Sequence, residues 1–296
     1  KALYAQSEDY RQAVRTQLIA GIANTYYTLL MLDEQLDLSR QTETAWKETV
    51  ASTRALMNAG LANESAVSQM EAAYYQVQSS VLDLQQQISQ VENSLALLLA
   101  ETPRSYERGM LAKQQFPTDL SIGIPVRMLS SRPDVRSAER TLEAAFYGTN
   151  AARSAFYPSI TLSGSAGWTN SAGSLILNPG KFLASAVGSL TQPLFNKGQV
   201  VAQYRIARAQ QEEAALGFQQ TLLNAGSEVN DALIAYQTSQ GKRLLLDKQI
   251  ASLQTALQST SLLMEHGNTT YLEVLTSRQS LLSAQLSQTA NHFTEI

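Results

Sequence analysis

Apolar residues recur along the first helix-length stretch at intervals of three and four: Val14, Leu18, Ile22, Tyr26, Leu29, Leu32 and Leu36. That spacing lines one stripe of a helix and predicts a helix from Ala2 to about Asn58. Gly60 then supplies a stop, because glycine accepts the left-handed backbone that closes a helix, and Leu61-Ala62-Asn63 follow as a polar turn. The next stretch is stricter. Val67, Met70, Tyr74, Val77, Val81, Leu84, Ile88, Val91, Leu95 and Leu98 alternate three and four without a break. This is the spacing of a coiled-coil seam, and the first helix is its expected antiparallel partner.

The C-terminal part follows the same rule. A helix is predicted from about Gln199 to Glu265, on the order of 100 Å at 1.5 Å per residue. It turns at His266-Gly267-Asn268 and returns through Leu272, Leu275, Leu282, Leu286 and Phe293. Gly217, Gly226 and Gly241 inside it each weaken the helix by about 1 kcal/mol relative to alanine, so a bend or a close helix contact is expected there. The outer faces are poor in charge: between Ser65 and Leu99 only Glu71, Asp83 and Glu92 are ionised. Such a face is either simply solvated or packed between neighbours, with a neutral wet surface on its third side.

All seven prolines lie between Pro103 and Pro193, which leaves proline-free arms on both flanks of an irregular middle. Pro103 to Pro125 reads as loop or short helices. Arg132-Pro133-Asp134-Val135 opens a helix expected to run to about Ala155, with Pro133 in the first turn and Asp134 favourable to the helix N-terminus. The pattern then switches to period two. Pro158, Ile160, Leu162, Gly164, Ala166 and Trp168 are apolar or glycine, while Ser159, Thr161, Ser163, Ser165 and Thr169 are polar. A second such stretch follows, with Phe182, Ala184, Ala186, Gly188 and Leu190 on one face and Ser185, Ser189 and Thr191 on the other. From Tyr157 to Asn196 the only charge is Lys181, expected in the connecting loop.

Alternation over about 9 to 11 residues with an aromatic near the strand end suits a membrane-spanning β-strand. A soluble hairpin covering a core is the ordinary alternative. The uncharged polar face and the lack of further strands weigh against it, because a lone hairpin is marginally stable and its open edges cannot sit in lipid. The hairpin is therefore expected to close a barrel with others.

An internal duplication supplies candidates. Thr53, Leu56, Met57, Gly60 and Val67 recur 207 positions later as Thr260, Leu263, Met264, Gly267 and Val274, and Ile22-Ala23-Asn24 pair with Val229-Asn230-Asp231 at the same offset. The same subtraction places a first β-hairpin and an N-terminal region upstream of Lys1. Two hairpins per chain are too few strands for a barrel, so several chains are expected to share one.

Composition removes other classes. A net charge of -3 gives no nucleic-acid footprint, and zero cysteines give no disulfide frame or thiolate metal site. No apolar run approaches the ~18 residues of a membrane-spanning helix. His266 and His292 stand in no ligand spacing, and no phosphate loop or nucleophile elbow occurs. Met57 and Met264 at the two turns are more commonly packing residues than soft-metal ligands. No enzyme, cofactor or metal is expected.

The sequence resembles the TolC-like outer-membrane factor (outer membrane efflux protein) family, in the lipoprotein branch associated with resistance-nodulation-division pumps. The residues that carry the resemblance are Leu129-Ser130-Ser131-Arg132-Pro133-Asp134-Val135, Ala138-Glu139, Ala155-Phe156-Tyr157-Pro158-Ser159-Ile160, Gln192-Pro193-Leu194-Phe195-Asn196, and Tyr271-Leu272-Glu273-Val274-Leu275 with Arg278-Gln279-Ser280-Leu281-Leu282. The resemblance implies a mainly α fold of long antiparallel coiled-coil hairpins forming an α-barrel, with a transmembrane β-hairpin given to an oligomeric β-barrel. It implies a homotrimer in the outer membrane of a Gram-negative bacterium, with the helical part in the periplasm. The partners are outer-membrane lipid, a periplasmic adaptor (membrane fusion protein) and an inner-membrane pump.

On that reading residues 1–102 form the first-repeat helical hairpin, with its tip at about 57–63. Residues 103–132 are an irregular connection, 133–156 a helix, 157–196 the transmembrane hairpin, and 197–296 the second-repeat hairpin with its tip at about 264–270. The adaptor-docking tips are Met57, Gly60, Leu61, Met264, Gly267 and Asn268. The lipid-facing residues are Ile160, Leu162, Ala166, Trp168, Phe182 and Leu190. Relatives often carry acidic rings near the tips, and commonly an aspartate where this chain has Thr276. Here Gln254, Thr255, Gln258 and Ser259 form the candidate constriction, so closure by neutral side chains is expected. The function expected is the exit duct of a tripartite efflux system, passively conducting substrates outward. The alternative is a structural coiled-coil scaffold without channel activity.

Overall fold

The computed structural model describes residues 2–114, 130–169, 181–192, 196–265 and 271–296. Helix α1 (Ala2–Asn58) and helix α2 (Glu64–Leu98) precede an extended segment with one 3-10 turn at Leu111–Lys113; helix α3 (Pro133–Ser154) leads into strands β1 (Ser159–Thr169) and β2 (Lys181–Thr191), followed by helices α4 (Gln199–Glu265) and α5 (Tyr271–Glu295). The fold is mainly helical with a single two-stranded sheet among the described residues. Two compact units divide the chain: Lys1–Ala13 with Pro125–Gly226, and Val14–Ile124 with Ser227–Ile296.

In the second unit α1 and α2 pack antiparallel along the seam. Leu29 and Leu32 meet Ile88 and Leu95, and further along Trp46 meets Met70, Ala73 and Val77. Every seam residue of α2 is buried or half-buried. Tyr271, Leu275 and Leu282 of α5 pack onto the Trp46 cluster, so α5 completes the layer. Seam spacing does not bring burial everywhere in the protomer. Val14, Leu18 and Leu272 have seam spacing but are 47%, 43% and 51% exposed, because no described element covers them. Gly217, Gly226 and Gly241 face open space, with no atom within 4 Å of a would-be Cβ, so of the bend and the close contact expected there, the close contact is not made.

The extended segment after α2 is tied down by one arginine. Arg108 forms a two-point pair with Asp33 of α1 through Nε and Nη2, and its Nη1 donates to Glu92 Oε1 of α2 at 2.6 Å. The Arg108 side chain is 13% exposed. Its pKa is raised above the ordinary arginine value, first by the hydrogen bond to Asp33, against the opposing cost of burial, and then by Glu92. One side chain thereby cross-links both helices and the connection.

In the first unit, Pro133 and Asp134 occupy the opening turn of α3. The N-terminal turns of α1 dock on this helix through the buried Asp9, whose Oδ1 accepts from Arg136 at 2.6 Å, and through Gln6 Nε2 donating to Thr141 Oγ1 at 3.0 Å. Helices α3 and α4 meet where Thr149 Oγ1 donates to the Ala207 carbonyl at 3.1 Å and where the Phe156 and Tyr204 rings stack edge to face at 5.8 Å. These contacts brace the two ends of the β-hairpin.

Candidate functional site

The strands pair antiparallel in a register that keeps the two faces apart. Ile160 opposes Leu190, Leu162 opposes Gly188, Gly164 opposes Ala186, Ala166 opposes Ala184, and Trp168 opposes Phe182. A slip of one residue would scramble the faces, so this register is what the alternation demands. The other face pairs Ser159 with Thr191, Thr161 with Ser189, and Ser165 with Ser185, whose hydroxyls lie 2.7 Å apart. Val187, opposite Ser163, interrupts it. Gly188 leaves room for Leu162, whose Cδ2 comes within 3.5 Å of a would-be Cβ. Lys181 is the first residue of β2, paired with Thr169, and not a loop residue, because the ladder extends one rung further than the charge suggests.

Neither face has a core beneath it. Ile160, Leu162 and Leu190 are 73%, 83% and 70% exposed, Ala166 is exposed, and so is every strand residue whose side chain is described. The side chains of Trp168 and Phe182 lie outside the described residues. An apolar face this bare has no partner among the described residues.

At the first helical tip, Gly60 takes a positive φ of 75°. Its N–H donates to the Met57 carbonyl and that of Leu61 to the Leu56 carbonyl, both at 2.9 Å. This is the Schellman closure that the Met-x-x-Gly element foreshadows. Asn63 then caps α2, its side chain accepting from Ala66 N at 2.9 Å. Leu61 is 76% exposed and Met57 half-buried. At the second tip Met264 is half-buried, while Gly267 and Asn268 lie outside the described residues. Tyr271, at the start of α5, packs on the cluster of Trp46, Met70, Ala73 and Val77. Gln254, Thr255, Gln258 and Ser259 are exposed on α4, with Thr255 Oγ1 bonded back to the Ala251 carbonyl at 3.0 Å. Within one protomer they face nothing. Among the described residues no cluster of His, Cys, Asp or Glu is placed to hold a metal ion.

The contacts of two arginines have no signal in the sequence, although Arg278 itself belongs to a family motif. Arg108 sits in an irregular segment, and its acidic partners lie 75 and 16 positions away, so no local signal marks it. Arg278 of α5 lies over the Trp46 ring, 5.9 Å from its centroid, and burial lowers its pKa against the opposing charge of Glu48. Its Nε and Trp46 Nε1 are both buried without a hydrogen-bond partner among the described residues.

The model of the outer membrane efflux protein family matches residues 1–101 and 124–291. The chain belongs to the outer membrane efflux protein family. It is similar to the cation efflux system protein CusC of Escherichia coli O6:H1, at 28% identity over 95% of this chain and 62% of that protein. It is 31% identical to the solvent efflux pump outer membrane protein SrpC of Pseudomonas putida, over 95% of this chain and 60% of that one. The chain thus spans about six-tenths of the length of these curated relatives. A crystal structure of CusC superposes with a TM-score of 0.92 at 27% identity, covering 99% of this chain and 69% of that one. The fold of this family member is therefore that of the outer-membrane efflux channels, and its place is the outer membrane of a Gram-negative bacterium with the helices in the periplasm.

Proposed function

We propose that the chain is part of an exit duct in an efflux system, conducting solutes passively from the periplasm to the exterior. The β-hairpin gives its strands to a barrel shared by three copies, with Ile160, Leu162, Ala166, Trp168, Phe182 and Leu190 toward lipid and the hydroxyl face toward water. The helical hairpins continue the duct. Met57, Gly60 and Leu61, with Met264, Gly267 and Asn268, form tips that dock a periplasmic adaptor, which couples the duct to an inner-membrane pump of the resistance-nodulation-division type. Gln254, Thr255, Gln258 and Ser259 form a neutral constriction. No bond is made or broken, so no catalytic residue or cofactor enters. Relatives named for cations and for solvents share this architecture, so the cargo is set chiefly by the pump.

The observation that carries this reading is the exposure of both faces of a register-matched, uncharged hairpin. Water rejects the apolar face, and only lipid or another apolar surface removes that cost. The test is single-channel recording from the full-length protein in a planar bilayer. Discrete conductance steps are expected from the wild type and none from the Ile160→Lys, Leu162→Lys double variant. If the variant conducts like the wild type, those positions do not face lipid. A folded, membrane-extracted wild type that stays silent even when residues around Gly267 are loosened would favour a scaffold.

A further inference from the structure

We propose that the helical base of the β-hairpin is a basic, aromatic collar that binds phosphate groups of anionic phospholipids in the periplasm-facing leaflet of the outer membrane. The inference rests on the membrane reading of the hairpin and adds to it a lipid class and four residues. Its first support is charge. No acidic residue lies between Glu143 and Glu212, yet Arg153, Lys197, Arg205 and Arg208 fall in that interval beside Lys181. All four are exposed, and among the described residues no side-chain ion pair engages them.

The second support is placement. Arg153 is in the last turn of α3 and Lys197 in the turn between β2 and α4, while Arg205 and Arg208 lie on one face of the opening turns of α4, three residues apart. The Phe156–Tyr204 ring contact and the Thr149 bond to the Ala207 carbonyl hold these helix ends side by side. The four cations therefore lie on the adjoining helix ends that lead into and out of the strands. Tyr157, between α3 and β1, is 62% exposed, and Tyr147 of α3 is 58% exposed. Tyrosine with a wet hydroxyl and a lipid-facing ring is the residue of the membrane interface.

Phosphates are at that depth, because strands of 11 residues cross the hydrocarbon and their helical ends emerge among headgroups. Cations with no protein counter-ion, set in a stretch free of carboxylates, match an anionic leaflet in sign and position. A soluble acidic partner would need to reach the same level through the headgroups, and the membrane already occupies that space.

The test uses the full-length protein in detergent and in vesicles. Phosphatidylglycerol titrated into the solubilised protein should raise its melting temperature, and phosphatidylcholine of the same chain length should not. The Arg153→Gln, Lys197→Gln, Arg205→Gln, Arg208→Gln variant should bind phosphatidylglycerol at least about tenfold more weakly while still floating with vesicles, since each basic residue near an anionic surface strengthens attachment by about fivefold. The wild-type effect should fade in high salt, which screens exposed charges. Equal shifts with both lipids, an unaltered response in the variant, or a shift reproduced by inorganic phosphate alone would overturn the collar. A wild type that fails to float with vesicles overturns the membrane reading beneath it.

Discussion

The α1–α2 seam and the β-hairpin are both written in the sequence as clean alternations, yet they end in opposite surroundings. Met70 in the seam is completely buried, and Leu162 in the hairpin is 83% exposed. The seam finds its complement within the chain, since α1 returns the same apolar stripe that α2 offers. Among the described residues the hairpin has no such complement: both of its faces are open and no third strand joins its sheet. Periodicity thus tells which residues share a face. It does not tell what covers the face. That answer comes from polarity, because the hairpin's second face lacks the charges a water-soluble sheet would carry.

The widest way to break the comparison is to cut into the seam. Trp46 is completely buried, and Trp46→Ala should destabilise the helical hairpin by about 3–5 kcal/mol, the cost of lost burial plus the cavity left behind. Urea unfolding should report the same loss in water and in detergent, because the complement is internal. Leu162→Lys should behave differently. In a bilayer a lysine near the midplane costs roughly 2–4 kcal/mol, whereas the isolated chain has nothing at that position to lose. Vesicle-insertion yield should fall while the helical unfolding transition stays in place. If instead Leu162→Lys shifts the helical transition in water, the hairpin covers a core and the contrast between the regions is false.

Much of the fold was legible because a seam needs only spacing. The end of α1, the start of α3 and the strand faces follow from Gly60, Pro133 and the even-odd pattern, although β2 begins one residue earlier than the pattern implies, at Lys181. What escaped has specific causes. The seam of α1 continues beyond Leu36 through Ser39, Trp46, Thr49 and Thr53, all buried, but three of these four are polar and invisible to hydropathy. Thr49 and Thr53 are accommodated because each hydroxyl donates to the carbonyl four residues back, at 2.8 and 2.9 Å. Val14 and Leu18 carry the right spacing and lie bare, so spacing alone overstates burial where the partner helix has ended. The Arg108 clamp is a long-range event with no periodicity to announce it. At the candidate site, the strand faces and the first tip could be read from residue order. The collar could not, because it needs the contact between α3 and α4.

A smaller change sharpens the same contrast at the far end of the seam. Ala100 closes α2 with a φ of 55°, Glu101 N donating to the Ala96 carbonyl and Ala100 N to the Leu97 carbonyl, at 2.9 and 3.2 Å. This is the closure seen at Gly60, made with a residue whose Cβ resists it. Ala100→Gly should stabilise the helical unit by about 1 kcal/mol, the left-handed penalty less the extra freedom of an unfolded glycine. Gly60→Ala should cost a similar amount. Neither substitution should change vesicle insertion of the hairpin.

The smallest effect concerns the support beneath the hairpin. At the start of α3, Asp134 accepts two hydrogen bonds from Arg132, at 3.1 and 2.7 Å, and one from its neighbour Val135 N at 2.9 Å. The arginine contact is the main reason its pKa falls below 3.8, with burial opposing it. A depressed carboxylate stabilises the fold at pH values above its ordinary pKa, and that contribution disappears as pH falls through the folded value. The pair is partly exposed, with side chains 30% and 44% accessible, so solvent screening keeps the contribution below about 1 kcal/mol. Comparing wild type with Asp134→Asn should therefore give a constant gap in urea midpoint from pH 7 to 5, closing below pH 4. A gap that survives to pH 2 would mean that Asp134 acts through its shape in the helix turn and not through its charge. In that case the brace under the hairpin, like the seam of α1 and α2, would depend on packing alone.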